Sequence, residues 1–166
     1  MKLAVFGGSF NPVHTGHLFI AEEVCCTLNY DMIIFVPAKA PPHKDLAPGA
    51  SDKKRLKMLE LAVEANDCFA VDDIEIRRGG TSYTIETIEY VCDRYKTSEK
   101  PGLIIGDDLI EGFKSWKNAD KLLTMVDLIV VHRESEKRKK FPEKHLYVDN
   151  SPLPVSSSNI RKRVAS

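Results

Sequence analysis

Short apolar runs, each stopped by glycine or proline, alternate along this chain with stretches of helical periodicity. Residues 2–6 (KLAVF) end at Gly7 and Gly8, and residues 32–36 (MIIFV) end at Pro37. Both runs read as buried strands. Between them Leu18, Ala21, Cys25 and Leu28 recur at helical spacing, with Glu22, Glu23 and Asn29 on the other face. Strand, helix and strand therefore make one βαβ unit, whose crossover is expected to be right-handed.

The alternation continues. Residues 37–50 carry four of the nine prolines and form a loop able to lie over a pocket. Ser51 caps a helix whose buried stripe is Leu56, Leu59 and Val63. A strand-like stretch over 69–76 precedes GGTSYT and a helix over 85–95. Residues 103–105 (LII) make a strand stopped by Gly106; a helical segment with Leu109, Trp116, Leu122 and Leu123 follows, then a strand over 128–131 (LIVV). Tyr147 and Val148 suggest a last strand, and PVSSSNIRKRVAS opens a short helix from about residue 156. The pattern predicts one α/β doubly wound domain over 1–166, a mainly parallel sheet with helices on both faces and ligand sites at the carboxyl edge of the strands.

Lys plus Arg and Asp plus Glu each total 24, so the net charge is 24 − 24 = 0. A neutral chain has no global field for a nucleic-acid backbone, and an anion site has to be assembled locally. The run 134–140 (ESEKRKK) reads as a solvated loop. No apolar stretch approaches the roughly 18 residues needed to span a bilayer. The four cysteines show no CxxC pairing, which favours a reduced, cytoplasmic protein over a disulfide framework or structural zinc.

The chemistry concentrates after the first strand, in GGSFNPVHTGH (residues 7–17). Gly7 and Gly8 remove side chains where a ligand approaches the backbone, and the free amides of the following helix attract an anion, so phosphate is the expected guest. The sequence has neither GxxxxGK[ST] nor GxGxxG, and Pro37 stands where a dinucleotide-binding acid would be. His14 and His17 sit three apart at the helix entry, a spacing that puts two imidazoles beside the phosphate site as donors. Metal ligation is disfavoured because no cysteine or carboxylate nearby completes a ligand set.

These residues resemble a known family. The run GGSFNPVHTGH is similar to the HxGH signature of the nucleotidyltransferase superfamily, and SSSNIRKR (156–163) to its serine-rich second phosphate motif with a following arginine. PAKAPPHK (37–44), RRGGTSYTIETI (77–88), IIGDDLIEGFKSW (104–116) and VVHR (130–133) resemble, in order and spacing, the bacterial nicotinate-nucleotide adenylyltransferases. The likeness covers residues 1–163.

That resemblance implies a Rossmann-like nucleotidyltransferase fold. It also implies joining of nicotinate mononucleotide to the adenylyl group of ATP, giving deamido-NAD and pyrophosphate, with Mg2+ bound along with ATP rather than by a dedicated protein site. It puts Gly7, Gly8, Ser9, Phe10, His14 and His17 at the ATP phosphates, with Ser157, Ser158 and Arg161 opposite. Gly106 and Asp108 match a Gly-x-Asp motif on the adenosine side, Asp108 being also compatible with a helix cap; Asp107 departs from the small residue common there. Ser82, Tyr83 and Thr84 would face the pyridine carboxylate. Trp116 either stacks on the pyridine ring or packs in the core, Lys44 either reaches a substrate phosphate or stays in solvent, and Arg133 either contacts substrate or pairs at the surface. His43, His132 and His145 receive no catalytic role. The implied partners are ATP and nicotinate mononucleotide, without nucleic acid or membrane; a homo-oligomer is compatible. Phosphopantetheine adenylyltransferase, which shares both phosphate motifs, and a non-catalytic nucleotide-sensing module are the alternatives.

Overall fold

The chain alternates strand and helix, and the computed structural model, which describes residues 1–42, 47–132 and 141–166, arranges the strands in one sheet. The strands are β1 (Leu3–Gly8), β2 (Met32–Pro37), β3 (Phe69–Val71), β4 (Gly102–Gly106), β5 (Asp127–Val131) and β6 (Leu146–Val148). Their order is β3-β2-β1-β4-β5-β6 and every pairing is parallel. The helices are α1 (Thr15–Leu28), α2 (Asp52–Val63), α3 (Ile74–Arg78), α4 (Thr84–Tyr95), α5 (Ala119–Met125) and α6 (Ser157–Ala165).

Both faces of the sheet are covered because alternate strand residues point to opposite sides and both sets are apolar. On one face Ala4, Phe6, Ile33, Phe35, Ile104 and Ile129 pack with Ile20, Ala21 and Val24 of α1 and Leu59 and Val63 of α2. On the other, Leu3, Val5, Ile34, Leu103, Ile105 and Val130 pack with Ile85, Ile88 and Val91 of α4 and Leu122 of α5. Each such aliphatic side chain taken out of water contributes about 1.5–3 kcal/mol, which drives the layering.

Two expected elements take another form. The strand-like stretch 69–76 pairs only through Val71, since the Asp72 carboxylate accepts a hydrogen bond from the Ile74 amide at 3.0 Å and turns the chain into α3. The helical segment after Gly106 begins as two 3-10 turns, Asp107–Leu109 and Phe113–Ser115, and only Ala119–Met125 is an α-helix. Gly112 sits at the break. No helix among the described residues is long and apolar enough to cross a membrane.

The topology positions the site. From β1 the chain winds outward to β2 and β3, then returns to β4 and winds the other way. At such a reversal the connections leave in opposite directions and a crevice opens beyond the carboxyl ends of β1 and β4.

Candidate active site

The floor of the crevice is the exit of β1. An ideal Cβ on Gly7 would meet nothing within 4 Å, so this backbone faces open space. A Cβ on Gly8 would lie 2.9 Å from the Phe10 ring, and the glycine lets that ring fold back beneath the turn. Phe10 is buried, has φ of 43°, and packs edge-on to Phe6 and His17 at 5.8 and 5.1 Å between ring centres.

Beneath the floor lies Arg55 of α2, 1% exposed. Its guanidinium donates to the Ser9 carbonyl at 2.5 Å, to the Ala38 carbonyl at 2.7 Å and to the Asp52 carboxylate at 2.7 Å. One planar cation thus ties the exits of β1 and β2 to the start of α2. Asp52 is also bound by the Lys39 ammonium, and these contacts, Lys39's first and Arg55's second, hold its carboxyl below the usual range. The Lys39 and Ala40 amides donate to the Ser82 hydroxyl at 2.9 and 3.2 Å, carrying the network to the entry of α4.

One cleft, of about 460 Å³, opens over the α1 face of the sheet. Gly7, Gly8, Ser9, Phe10, His14 and His17 line one wall, and Ser157, Ser158 and Arg161 another. The His14 amide donates to Nδ1 of His17 at 3.2 Å, so the neutral His17 ring carries its proton on Nε2, a donor. The two imidazoles lie 3.8 Å apart at the N-terminus of α1, where the helix dipole favours an anion.

The carboxy-terminal segment closes onto this wall. The Ser157 hydroxyl donates to the Pro12 carbonyl at 2.8 Å and Arg161 Nη1 to the Asn11 carbonyl at 2.6 Å, joining stretches about 145 residues apart. Ser156 caps α6, its hydroxyl accepting from the Asn159 amide at 3.2 Å. Buried Asn11 also reaches the long loop, donating to the Ala47 carbonyl at 2.9 Å and accepting from the Ala50 amide at 3.0 Å.

A second cleft, of about 440 Å³, opens over the α4 face and shares Gly7, Gly8 and Ser9 with the first. Its walls carry Tyr83, Thr84, Trp116, Asp108 and the buried Glu75, to which Thr87 donates at 2.5 Å. Trp116 packs on Phe113 with ring centres 4.9 Å apart and also lines the cleft. Lys117 lies 4.2 Å over the Tyr83 ring and bonds Glu86 at 2.7 Å; that bond holds the Glu86 carboxyl below its usual range and raises the ammonium.

The structure brings together His14, His17, Ser157, Ser158 and Arg161 around the Gly7–Phe10 turn, and separately Tyr83, Thr84 and Trp116. Ser82 lines the second cleft, its hydroxyl oxygen accepting from the 39–40 amides. Asp108, on the 3-10 turn after β4, lines the second cleft, and Gly106, the buried end of β4, lines neither. Lys44 and Arg133 lie outside the described residues, as do His43 and the 134–140 run. Sequence reading gave no role to Arg55, Glu75 or Asn11 and no catalytic role to His132. Arg55 carried a faint signal, a positive charge one residue before the apolar stripe of α2; the partners of the others are fixed only by the fold.

Comparison with known proteins agrees with this geometry. The family model described as cytidylyltransferase-like matches residues 5–163. The chain is 46% identical over its whole length to a Borreliella afzelii (strain PKo) protein named "Probable nicotinate-nucleotide adenylyltransferase", covering 86% of that protein. A Bacillus licheniformis protein of the same name is 38% identical over 98% of this chain and 85% of its own. Among solved structures, Plasmodium falciparum nicotinic acid mononucleotide adenylyltransferase complexed with NaAD superimposes with a TM-score of 0.72 at 20% identity, covering 97% of this chain and 82% of that one, which shows a shared fold. A putative nicotinate-nucleotide adenylyltransferase from Vibrio parahaemolyticus gives 0.71 at 19% identity, over 99% and 88%. By a family model spanning nearly all its length and full-length relatives well above 30% identity, the chain belongs to the cytidylyltransferase-like family and, within it, to the nicotinate-nucleotide adenylyltransferases.

Proposed function

We propose that this chain transfers the adenylyl group of ATP to nicotinate mononucleotide, giving deamido-NAD and pyrophosphate, in the cytoplasm. The observation that carries this reading is the pair of clefts meeting at Gly7, Gly8 and Ser9. One is walled by phosphate-binding groups, the other by an aromatic and a helix N-terminus, so two substrates are brought to one floor from opposite faces of the sheet.

A phosphate oxygen of nicotinate mononucleotide attacks the α-phosphorus of ATP. The new O–P bond forms as the bond from the α-phosphorus to the bridging oxygen breaks, and pyrophosphate leaves with the electron pair. The nucleophile is already ionised at neutral pH, so the protein supplies alignment and charge stabilisation rather than a base. His17 donates from Nε2 to a phosphate oxygen, while His14, the amides opening α1, and Arg161 with the amides opening α6 spread the growing charge. Ser158 and the Ser157 segment hold the opposite wall.

A magnesium ion would come bound to the triphosphate. When bound it would neutralise phosphate charge, and Asp108, which lines the second cleft, would accept from one of its waters.

In the second cleft Trp116 faces the pyridine ring, and the Thr84 amide and hydroxyl face its carboxylate, the Tyr83 amide donating instead to the Thr81 carbonyl at 3.2 Å. A carboxamide would turn its own NH₂ toward one of these donors and leave a buried polar group unpaired, at about 1–3 kcal/mol. Nicotinate is the favoured substrate. Pyrophosphate release with ATP and magnesium, offered nicotinate mononucleotide, nicotinamide mononucleotide and phosphopantetheine in parallel, tests this. Turnover is expected with the first; preference for phosphopantetheine, or nucleotide binding without pyrophosphate, overturns it.

A further inference from the structure

The far end of the first cleft holds a group the reaction above does not use. Asp107, directly after β4, is completely buried, and its carboxylate Oδ2 lies 3.1 Å from Nδ1 of His132, which follows β5. The Tyr147 hydroxyl oxygen is also 3.1 Å from that nitrogen. The His132 backbone is fixed on both sides by Asn150, whose side chain accepts from its amide at 2.8 Å and donates to its carbonyl at 2.9 Å. Ring and backbone are therefore both held, and His132 and Asn150 line the cleft.

A carboxylate only accepts, so the Nδ1 proton is shared between Asp107 and the Tyr147 oxygen, and Nε2 keeps a lone pair. β5 lies two strands from β1 in the sheet, across β4. With neighbouring strands about 4.8 Å apart, His132 sits on the order of 10 Å to the side of the phosphate floor. A nucleoside extends over a comparable distance from its α-phosphate. Adenine presents an exocyclic amino donor at C6 where guanine and hypoxanthine present an oxygen acceptor.

We propose that His132 is a specificity-determining residue that accepts a hydrogen bond from the exocyclic amino group of the purine, with Asp107 and Tyr147 as positioning residues that fix its tautomer. This rests on the placement of the triphosphate under the reading above. An acceptor at Nε2 favours adenine and opposes a 6-oxopurine, because two lone pairs then face each other.

The test compares ATP with inosine triphosphate, which differs at that position, in pyrophosphate release with nicotinate mononucleotide and, separately, in direct binding by calorimetry. Wild type is expected to favour ATP by about tenfold or more in both readouts. His132→Leu should bring the ratio near one, whereas a merely structural role would weaken both nucleotides alike. Asp107→Asn, whose amide can donate to Nδ1 and shift the proton to Nε2, should narrow the ratio as well, and serves if His132→Leu does not fold. A wild-type ratio near one, or a ratio unchanged in both variants, overturns the proposal. Nucleotide binding without pyrophosphate release contradicts the reaction instead, and the binding ratios still decide the base recognition.

Discussion

At His17 a single backbone contact sets the tautomer: Nδ1 accepts from the His14 amide, so the neutral ring carries its proton on Nε2. His17→Ala is expected to lower kcat by about 10²–10³, the effect of losing one donor to developing charge, with the melting temperature near wild type. Steady-state rates beside a thermal melt check this. Arg55 predicts the opposite pattern. Removing it leaves the Ser9 and Ala38 carbonyls without their donor and Asp52 with Lys39 alone, so Arg55→Ala should cost about 3–5 kcal/mol in urea unfolding. Arg55→Lys should restore only part, since one ammonium lacks the planar fork that reaches three acceptors.

His17 could be singled out from the sequence because HxGH places both imidazoles within one helical turn. His132 could not. Its partners Asp107, Tyr147 and Asn150 come from three other positions along the chain, and only the parallel alignment of β4, β5 and β6 makes them neighbours.

At the scale of elements, α6 and the 3-10 turn leading to Trp116 serve different clefts, and the kinetics should separate them. Arg161→Ala should raise KM for ATP more than for nicotinate mononucleotide, because Arg161 lines the first cleft and anchors α6 to Asn11. Trp116→Ala should do the reverse, and equal effects on both substrates in either variant would contradict the division. The start of α2 carries a pH signature. The folded state lowers the Asp52 carboxyl below its ordinary value of 3.8, so its contribution is present above that value and lost as pH falls through the lower folded one. The stability difference between wild type and Asp52→Asn should be full at neutral pH and shrink below about pH 3.8 in acid-unfolding curves.

Element types followed periodicity where apolar runs were uninterrupted, as in β1, β2, β4, β5 and α4. They departed from it where one side chain redirected the backbone. The Asp72 carboxylate bonding the Ile74 amide converts the end of a strand-like run into α3, a local competition that apolar patterning cannot register.

Across the whole molecule, the reversal of strand order beside β1 explains how a chain without net charge handles two polyanionic substrates. Hydrogen-bond donors at the start of α1 and the Arg161 guanidinium of α6 meet at one edge of the sheet, and the backbone turn between the clefts carries no side chain at Gly7. A side chain there has room in the protein and, on the proposed reading, would fill the floor that both substrates share. Gly7→Val should therefore keep the stability of the fold while abolishing turnover with both substrates, as read by thermal melts and pyrophosphate release. The doubly wound layout was visible from the alternation of elements, whereas the assignment of Asp108 to the second cleft depends on how the turn after β4 leaves the sheet.

The most direct test of the two-cleft account is a crystal structure with deamido-NAD bound. The account predicts one continuous ligand crossing Gly7, Gly8 and Ser9, with its adenosine between α6 and His132 and its pyridine against Trp116 and the start of α4. A ligand confined to one cleft, or one whose pyridine lies on the α1 side of the sheet, would contradict it.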